Sequence, residues 1–518
     1  MHQCLENLDV LSQILDHIPV QNRPLLSALA RTCRVFEAPA LDRLWRTVDL
    51  HVLRGLFACF PEGAVETTNE GNRMTVSVPL PRPLVLSDWE RFRSYSGRIR
   101  GLYVRSDALE TYEAALVWLS VRLPWDSLLP RLHALDWIIS LTFTPHTHNA
   151  RSFSAMMRHL RLFLSPSIHR LGLDCMLANE ETLSLLPIIA IKVPALGDLR
   201  ITEVTINPPA PLADQRTISA LVKSLPGLRR LHVPVLDHNA LDYLGSLSGF
   251  SSLSLSTFSA DLLPGIQACR FATLTSVKLS SADLATVTHF LHLLPVVQEI
   301  FVQLSRGNHT PEDITALFTA LTASHSTLSS LWLSLNAALR REDFVTLSRA
   351  RFPMLHKLLL TCNKIVGLDD AALTQLVIQC PHLRGLHLDE MTKPTTTALT
   401  LNVLVSVARW CPALKSITLT LNARSPPALQ RRPEDSNAVR PLQHELHDID
   451  FCYSELDNAF TVARFLSGLF PSLVQLQNDW DADVQQPEML RRWGEVQALL
   501  PDLQSIRREE WDWAQPRG

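Results

Sequence analysis

Glycine is scarce in this chain, 17 residues against 33 prolines in 518, and charge is sparse, 19% of residues with a net of −3. So even a charge balance excludes a nucleic-acid binder that works through bulk electrostatics. Few glycines suit an enzyme that cradles phosphates poorly, and no Walker A loop, Rossmann glycine fingerprint, Gly-x-Ser-x-Gly elbow or His-Glu-x-x-His occurs. Nine cysteines lie scattered at 4, 33, 59, 175, 269, 362, 380, 411 and 452, an odd number with no Cys-x-x-Cys. Neither a disulfide framework nor a zinc ribbon is expected from them, and a reducing compartment is. The start, Met1 to Asn7, has no basic region or apolar stretch of a secretory signal. The most apolar run, Leu183 to Leu196, is broken by Pro187, Lys192 and Pro194 and falls short of the about 20 residues that cross a bilayer. The expected location is therefore cytoplasmic or nuclear, with no membrane partner.

What the chain does have is apolar material: 46% hydrophobic residues, mean hydropathy +0.08, and 92 leucines. This composition predicts an ordered core and excludes a mainly disordered protein. The leucines repeat. The pattern apolar-x-x-apolar-x-apolar is clear at Leu228-x-x-Leu231-x-Val233, Leu328-x-x-Leu331-x-Leu333, Leu355-x-x-Leu358-x-Leu360, Leu383-x-x-Leu386-x-Leu388 and Leu414-x-x-Ile417-x-Leu419. Weaker copies begin at Ile99, Leu132, Ile168, Leu196, Phe250, Leu274, Val297, Leu446, Leu473 and Leu503. The last two apolar positions alternate with a polar one, the period of a short strand with one buried face.

A second pattern precedes many anchors. Ile218, Leu221, Val222 and Leu225 fall at i, i+3, i+4 and i+7, one face of a helix. The same offsets return at Val287/Phe290/Leu291/Leu294, Ile314/Leu317/Phe318/Leu321, Leu373/Leu376/Val377/Cys380, Leu404/Val407/Ala408/Cys411 and Val462/Phe465/Leu466/Leu469. Pro226, Pro295, Pro381 and Pro412 each stop such a helix, and the strand anchor follows two residues later. Thr310-Pro311-Glu312-Asp313 predicts a capped helix start. A unit of strand, loop and helix recurring about every 29 residues cannot bury its apolar face alone, whereas stacked neighbours bury it jointly. The predicted fold is α/β, a curved solenoid with a parallel sheet inside and helices outside. It resembles leucine-rich repeats of the longer, cysteine-containing kind: Cys380 and Cys411 take the slot of Leu225 and Leu294, as small buried hydrophobes.

The first fifty residues read differently. Val10, Leu11, Ile14, Leu15 and Ile18 predict one short amphipathic helix with Asn7 as its cap. Leu25, Leu26, Leu29, Ala30, Cys33 and Phe36 predict a second, and residues 39–46 a third. Three short helices make a poor independent core and invite a partner. The run Asp9-Val10-Leu11-x-x-Ile14-Leu15-x-x-Ile18, then Leu29-Ala30-x-x-Cys33-x-x-Phe36, then Leu44-Trp45-Arg46, resembles an F-box domain, with Glu6-Asn7 where the family usually has Leu-Pro. Ser87 to Leu102 is similar to the connecting segment of fungal, mushroom-type F-box proteins. The resemblance implies a substrate-recognition adaptor that binds Skp1, and through it a cullin, in an SCF-type ubiquitin ligase. It implies Skp1 contacts at Val10, Leu11, Ile14, Leu15, Leu25, Leu26, Leu29, Phe36, Leu44 and Trp45, some of which must instead pack the three helices together.

The expected organisation is an F-box at 1–50, a linker with a hairpin at 51–97, the repeat domain at 98–510 with an irregular insertion at 422–441, and a tail at 511–518. No catalytic constellation and no cofactor site emerge. The best metal pattern, His444 to Cys452, alternates with the buried positions Leu446, Ile449 and Phe451, and neither it nor His146-x-His148 is expected to bind a metal. The residue four after each anchor should point to the concave surface: His232, Ser254, Lys278, Phe301, Trp332, Leu359, His387 and Thr418. Phe301, Trp332 and Leu359 form an apolar centre for a protein target, with Lys278 and His387 at its rim. The competing expectation is that the tail from Glu509 to Trp513 covers this patch. For the whole chain, the alternative to the ligase adaptor is a leucine-rich-repeat scaffold without ligase function.

Overall fold

The computed structural model describes residues 7–19, 22–70, 73–77, 84–138, 157–175, 180–203, 213–264, 266, 270–281, 283–304, 309–393, 397–427, 442–480 and 487–514. The chain forms two units, Met1–Phe250 and Ser251–Gly518.

The first unit begins with three helices, α1 (Leu8–Asp16), α2 (Arg23–Ala30) and α3 (Arg34–Trp45). The Asn7 side-chain oxygen accepts from the Asp9 and Val10 N–H groups and caps α1. Asn22 caps α2 in the same way through the Leu25 N–H. Leu11, Leu15, Leu26 and Ala40 make a small core with Ile18, Leu29, Ala30, Val35, Phe36 and Leu44 packed around it. Strand β1 (Thr47–Asp49) follows at once and pairs in parallel with β4 (Gly101–Arg105), Thr47 beside Gly101. The sheet therefore starts one repeat earlier than the Ile99 anchor indicates. Trp45-x-x-Val48-x-Leu50 carries the repeat pattern, and Val48 and Leu50 are buried.

Residues 51–97 are more than a connection. They hold α4 (Val52–Phe57), the antiparallel hairpin β2 (Glu66–Glu70) and β3 (Arg73–Ser77), and α5 (Glu90–Ser96). Phe57, Phe60, Trp89 and Phe92 are buried in an aromatic cluster that includes Trp118 of α6 (Ser106–Arg122). Parallel pairing then runs from β4 through β5 (Ala134–Ile138), β6 (Arg170–Cys175) and β7 (Asp198–Glu203) to β8 (Arg230–Val233). Helices α7 (Glu180–Lys192), α8 (Ala213–Lys223) and α9 (His238–Ser246) pack side by side.

In the second unit β9 (Ser252–Phe258), β10 (Ser276–Ser281), β11 (Glu299–Leu304), β12 (Ser330–Arg340), β13 (Lys357–Val366), β14 (Gly385–Glu390), β15 (Ser416–Thr418), β16 (Asp448–Asp450) and β17 (Gln475–Gln477) pair in parallel in chain order. Between them lie α10 (Leu284–Leu293), α11 (Pro311–Ser324), α12 (Arg341–Leu347), α13 (Asp370–Ile378), α14 (Asn402–Trp410) and α15 (Ala459–Leu469). The phase lock read in the sequence explains this order. Leu331, Leu333, Leu335 and Leu339 of β12 are buried at every second position, and Ile314, Leu317, Phe318 and Leu321 bury one face of α11. Each such side chain removed from water contributes about 1.5–3 kcal/mol, so neighbouring repeats hold one another. Thr310 and Asp313 form the reciprocal capping box at the start of α11.

The Leu503 anchor does not start a strand. Residues Pro487–Ala514 form one helix, α16, which packs on α15. The third position of that repeat copy is Arg508 rather than an apolar residue, so no buried strand face exists there. Trp493 of α16 stacks on Phe451 with ring centroids 4.5 Å apart, and Gln504 donates to the carbonyls of Phe470 and Leu473. The helix closes the apolar end of the last repeat, as a capping element must. The architecture is an α/β leucine-rich-repeat fold. Most of the irregular segment 422–441, together with His146 and His148, lies outside the described residues.

Candidate functional site

The row read four residues after each anchor is a true row. Ser254, Lys278, Phe301, Trp332, Leu359, His387 and Thr418 are Cα partners on consecutive strands. Because side chains alternate along a strand, these residues face away from the buried leucines on either side of them. In the first unit the corresponding row runs Asp49, Tyr103, Asp136, Gly172, Arg200 and His232.

The Phe301 and Trp332 rings meet edge to face with centroids 4.2 Å apart. The Lys278 ammonium lies 4.3 Å from the Phe301 ring centre, a cation–π contact that leaves the charge at the patch edge. Leu359 is half-buried beside Trp332, and Trp332 itself is 39% exposed. The helix that contains residues 509–513 packs on α15. His387 sits at the other rim, its Nδ1 2.8 Å from the Thr418 hydroxyl and its Nε2 3.2 Å from that of Ser416. Burial, with Lys357 nearby, holds its imidazole below the usual histidine range and so favours the neutral ring.

Beyond His387 the outward face turns acidic. Asp389 stands two residues after His387 on the same face of β14, and Asp450 continues the row on β16 opposite Thr418. Asp479 follows β17, where burial and the charges of Asp450 and Asp389 push its carboxyl upward. The row read from the sequence ends at Thr418 and so omits these carboxylates. One further step, four residues past Leu446, reaches Asp450.

At the N-terminus the structure sorts the implied Skp1 contacts by burial. Leu11, Leu15 and Leu26 are fully enclosed, and Leu29, Phe36 and Leu44 are half-buried against them. Trp45 packs on Tyr95 with ring centroids 4.9 Å apart, and a Cβ at Gly55 would come within 3.1 Å of its ring. Val10 is half-buried, whereas Ile14 and Leu25 are 46% and 41% exposed.

Among the described residues no three His, Cys, Asp or Glu side chains gather as a metal site. His444 and His447 are exposed, whereas Cys452 is buried. Burial pushes the Cys362, Cys380 and Cys411 thiols up to about 12, so they pack as small hydrophobes. A cavity of about 20 Å³ beside the buried carboxylate Glu390, lined by Leu388, Thr397 and Thr420, has room for one water. What the arrangement offers chemically is a contact surface: an aromatic centre with charges of opposite sign on its two sides.

No protein-family model matches the chain, and no curated protein matches it. Among solved structures it is similar to the yeast complex of Rad7 and Elc1, at 16% identity over 72% of this chain and 81% of that one, with a TM-score of 0.39. An internalin of Listeria monocytogenes is 14% identical over 70% of this chain and 80% of its own, TM-score 0.30. The mouse RP105/MD-1 complex is 13% identical over 55% and 50%, TM-score 0.26.

Proposed function

We propose that this chain is the substrate-recognition adaptor of an SCF-type ubiquitin ligase, acting inside the cell and carrying no catalytic group of its own. The supporting observation is the N-terminal three-helix unit, whose sequence resembles the F-box pattern. Among its described residues it encloses Leu11, Leu15, Leu26 and Ala40 fully, yet leaves Ile14 and Leu25 on its surface. Skp1 covers those two side chains, and the aromatic patch on the sheet face of the repeats holds the target. The mechanism is positional: a captured target is kept at high effective concentration near the ubiquitin-charged enzyme that other subunits recruit.

Co-expression with Skp1 tests this reading. The full chain brings Skp1 down, and a chain lacking residues 1–45 does not. That boundary spares β1, which the sheet needs. A full chain that fails to retain Skp1, or a truncated one that keeps it, refutes the ligase assignment. A repeat scaffold without ligase function then remains, since the aromatic patch lies in the second unit and needs no residue of the first.

A further inference from the structure

The patch and the carboxylates beside it specify more than a protein contact. Counting outward positions from β14 to β17, the sheet face presents Gly385, His387, Asp389, Ser416, Thr418, Asp448, Asp450, Gln475 and Gln477, with no Lys or Arg among them. None of the ion pairs formed among the described residues uses Asp389, Asp448, Asp450 or Asp479. The Asp450 carboxylate and the Asp479 backbone are also held in place. Asp450 accepts a hydrogen bond from the Cys452 N–H, and the Asp479 N–H donates to the Cys452 carbonyl. Lys278 and Lys357 lie on β10 and β13, on the other side of the patch or level with it. Lys357 sits one row toward the strand N-termini and Asp389 one row toward their C-termini, and Lys393 on that second side is held over the Trp480 ring, 4.3 Å from its centre.

We propose that this face binds an extended segment of the target protein whose apolar anchor rests on Phe301, Trp332 and Leu359 and whose basic residues reach Asp389 and Asp450. The proposal deepens the target-binding half of the function argued above and rests on it. Spacing follows from the strand geometry. Counted across the strands, Asp389 lies two from Trp332 and Asp450 four, which at about 4.8 Å per strand gives about 10 and 19 Å, with Asp389 one row further along its strand. An extended chain advances about 3.3 Å per residue, so the basic residues stand three and six positions from the anchor. A segment of opposite charge would set its carboxylates against carboxylates across this distance, and a nucleic acid its phosphates. The face therefore selects a cationic polypeptide with a single apolar anchor.

An array of immobilised dodecapeptides tests this on the purified full chain. Each peptide carries Trp, Leu or Ala as anchor and Arg, Ser or Glu at the third and sixth positions after it. Arg peptides with a Trp or Leu anchor bind at least tenfold more tightly than their Glu or Ala-anchor counterparts, and raised salt narrows the charge difference. Trp332→Ala weakens every anchored peptide. The double variant Asp389→Asn/Asp450→Asn removes the Arg preference, and Asp389→Lys/Asp450→Lys reverses it in favour of Glu. Binding indifferent to charge sign, a preference of the wild type for Glu, or no binding across the array overturns the proposal. Retention of Skp1, scored on the same preparations, separates that failure from failure of the ligase reading, because the two surfaces share no residue.

Discussion

Phe301 and Trp332, on neighbouring strands and in direct register, hold each other at 72° with the edge of one ring against the face of the other. Such a contact contributes about 0.5–1.5 kcal/mol beyond burial, and Trp332 stays partly open to solvent. Trp332→Ala therefore costs about 1 kcal/mol in a urea unfolding curve and leaves the circular dichroism spectrum unchanged. Target capture falls far more than stability does. Global unfolding of the variant would mean that the ring belongs to the core.

Trp493 offers the contrast. It is wholly buried, stacks on Phe451 and donates its indole N–H to the Ser454 carbonyl, as Trp480 does from the other side. Truncating it leaves a large cavity, while Trp480 still donates to the Ser454 carbonyl, so Trp493→Ala costs about 3–5 kcal/mol. The measurement is the shift of the chemical-denaturation midpoint, expected to be several times that of Trp332→Ala. Equal shifts would contradict the closing role assigned to α16.

Much of this fold is legible in the sequence because strand and helix signals repeat in phase. Leu331, Leu333, Leu358, Leu360, Leu386 and Leu388 are all buried where the pattern puts them. Two misreadings at the ends share a cause. Trp45-x-x-Val48-x-Leu50 is a full copy of the pattern, but Leu44-Trp45-Arg46 also closes the helical unit, and the strand beginning two residues later is too short to show its own period. Leu503 looks like an anchor because Ile506 follows at the right spacing, yet i and i+3 also lie on one helix face, and Arg508 decides in favour of the helix. The aromatic centre was legible because one residue per strand alternates outward. The acidic flank is legible by the same rule only when the row is carried one repeat past Thr418 to Asp450, and Asp389 and Asp479 lie off that row.

His325 makes the stability depend on pH. It is fully buried, its Nε2–H donates to the Leu291 carbonyl and its Nδ1 accepts from the Val297 N–H, which only the neutral ring can do. Burial, with a smaller push from His292, lowers its pKa below the ordinary 6.5. The unfolded chain then binds the proton more readily, so stability is full above pH 6.5 and falls as pH drops from there toward the folded value. The melting temperature of the wild type decreases on acidification from pH 7 to pH 5. In His325→Asn, which retains an acceptor but no titration, the decrease is smaller. Identical slopes would remove His325 as a contributor.

Thiol reactivity follows burial. Cys33 is exposed while Cys59, Cys362, Cys380, Cys411 and Cys452 are buried. Iodoacetamide at pH 8 should label Cys33 in the native protein within minutes and reach the buried five only after denaturant is added. Peptide mass mapping reads the result, and rapid native labelling of Cys380 or Cys411 would contradict their place in the core.

The adaptor assignment stands or falls on Skp1. The direct measurement is titration of purified Skp1 into the wild-type chain and into Ile14→Asp/Leu25→Asp, a variant altered only at side chains that the helical core leaves exposed. Covering each of these side chains contributes about 1 kcal/mol and a charge in their place costs more, so the account predicts a one-to-one complex for the wild type. It predicts affinity at least tenfold weaker for the variant at an unchanged melting temperature. A wild-type chain that does not bind Skp1, or a variant that binds it equally well, would contradict the account.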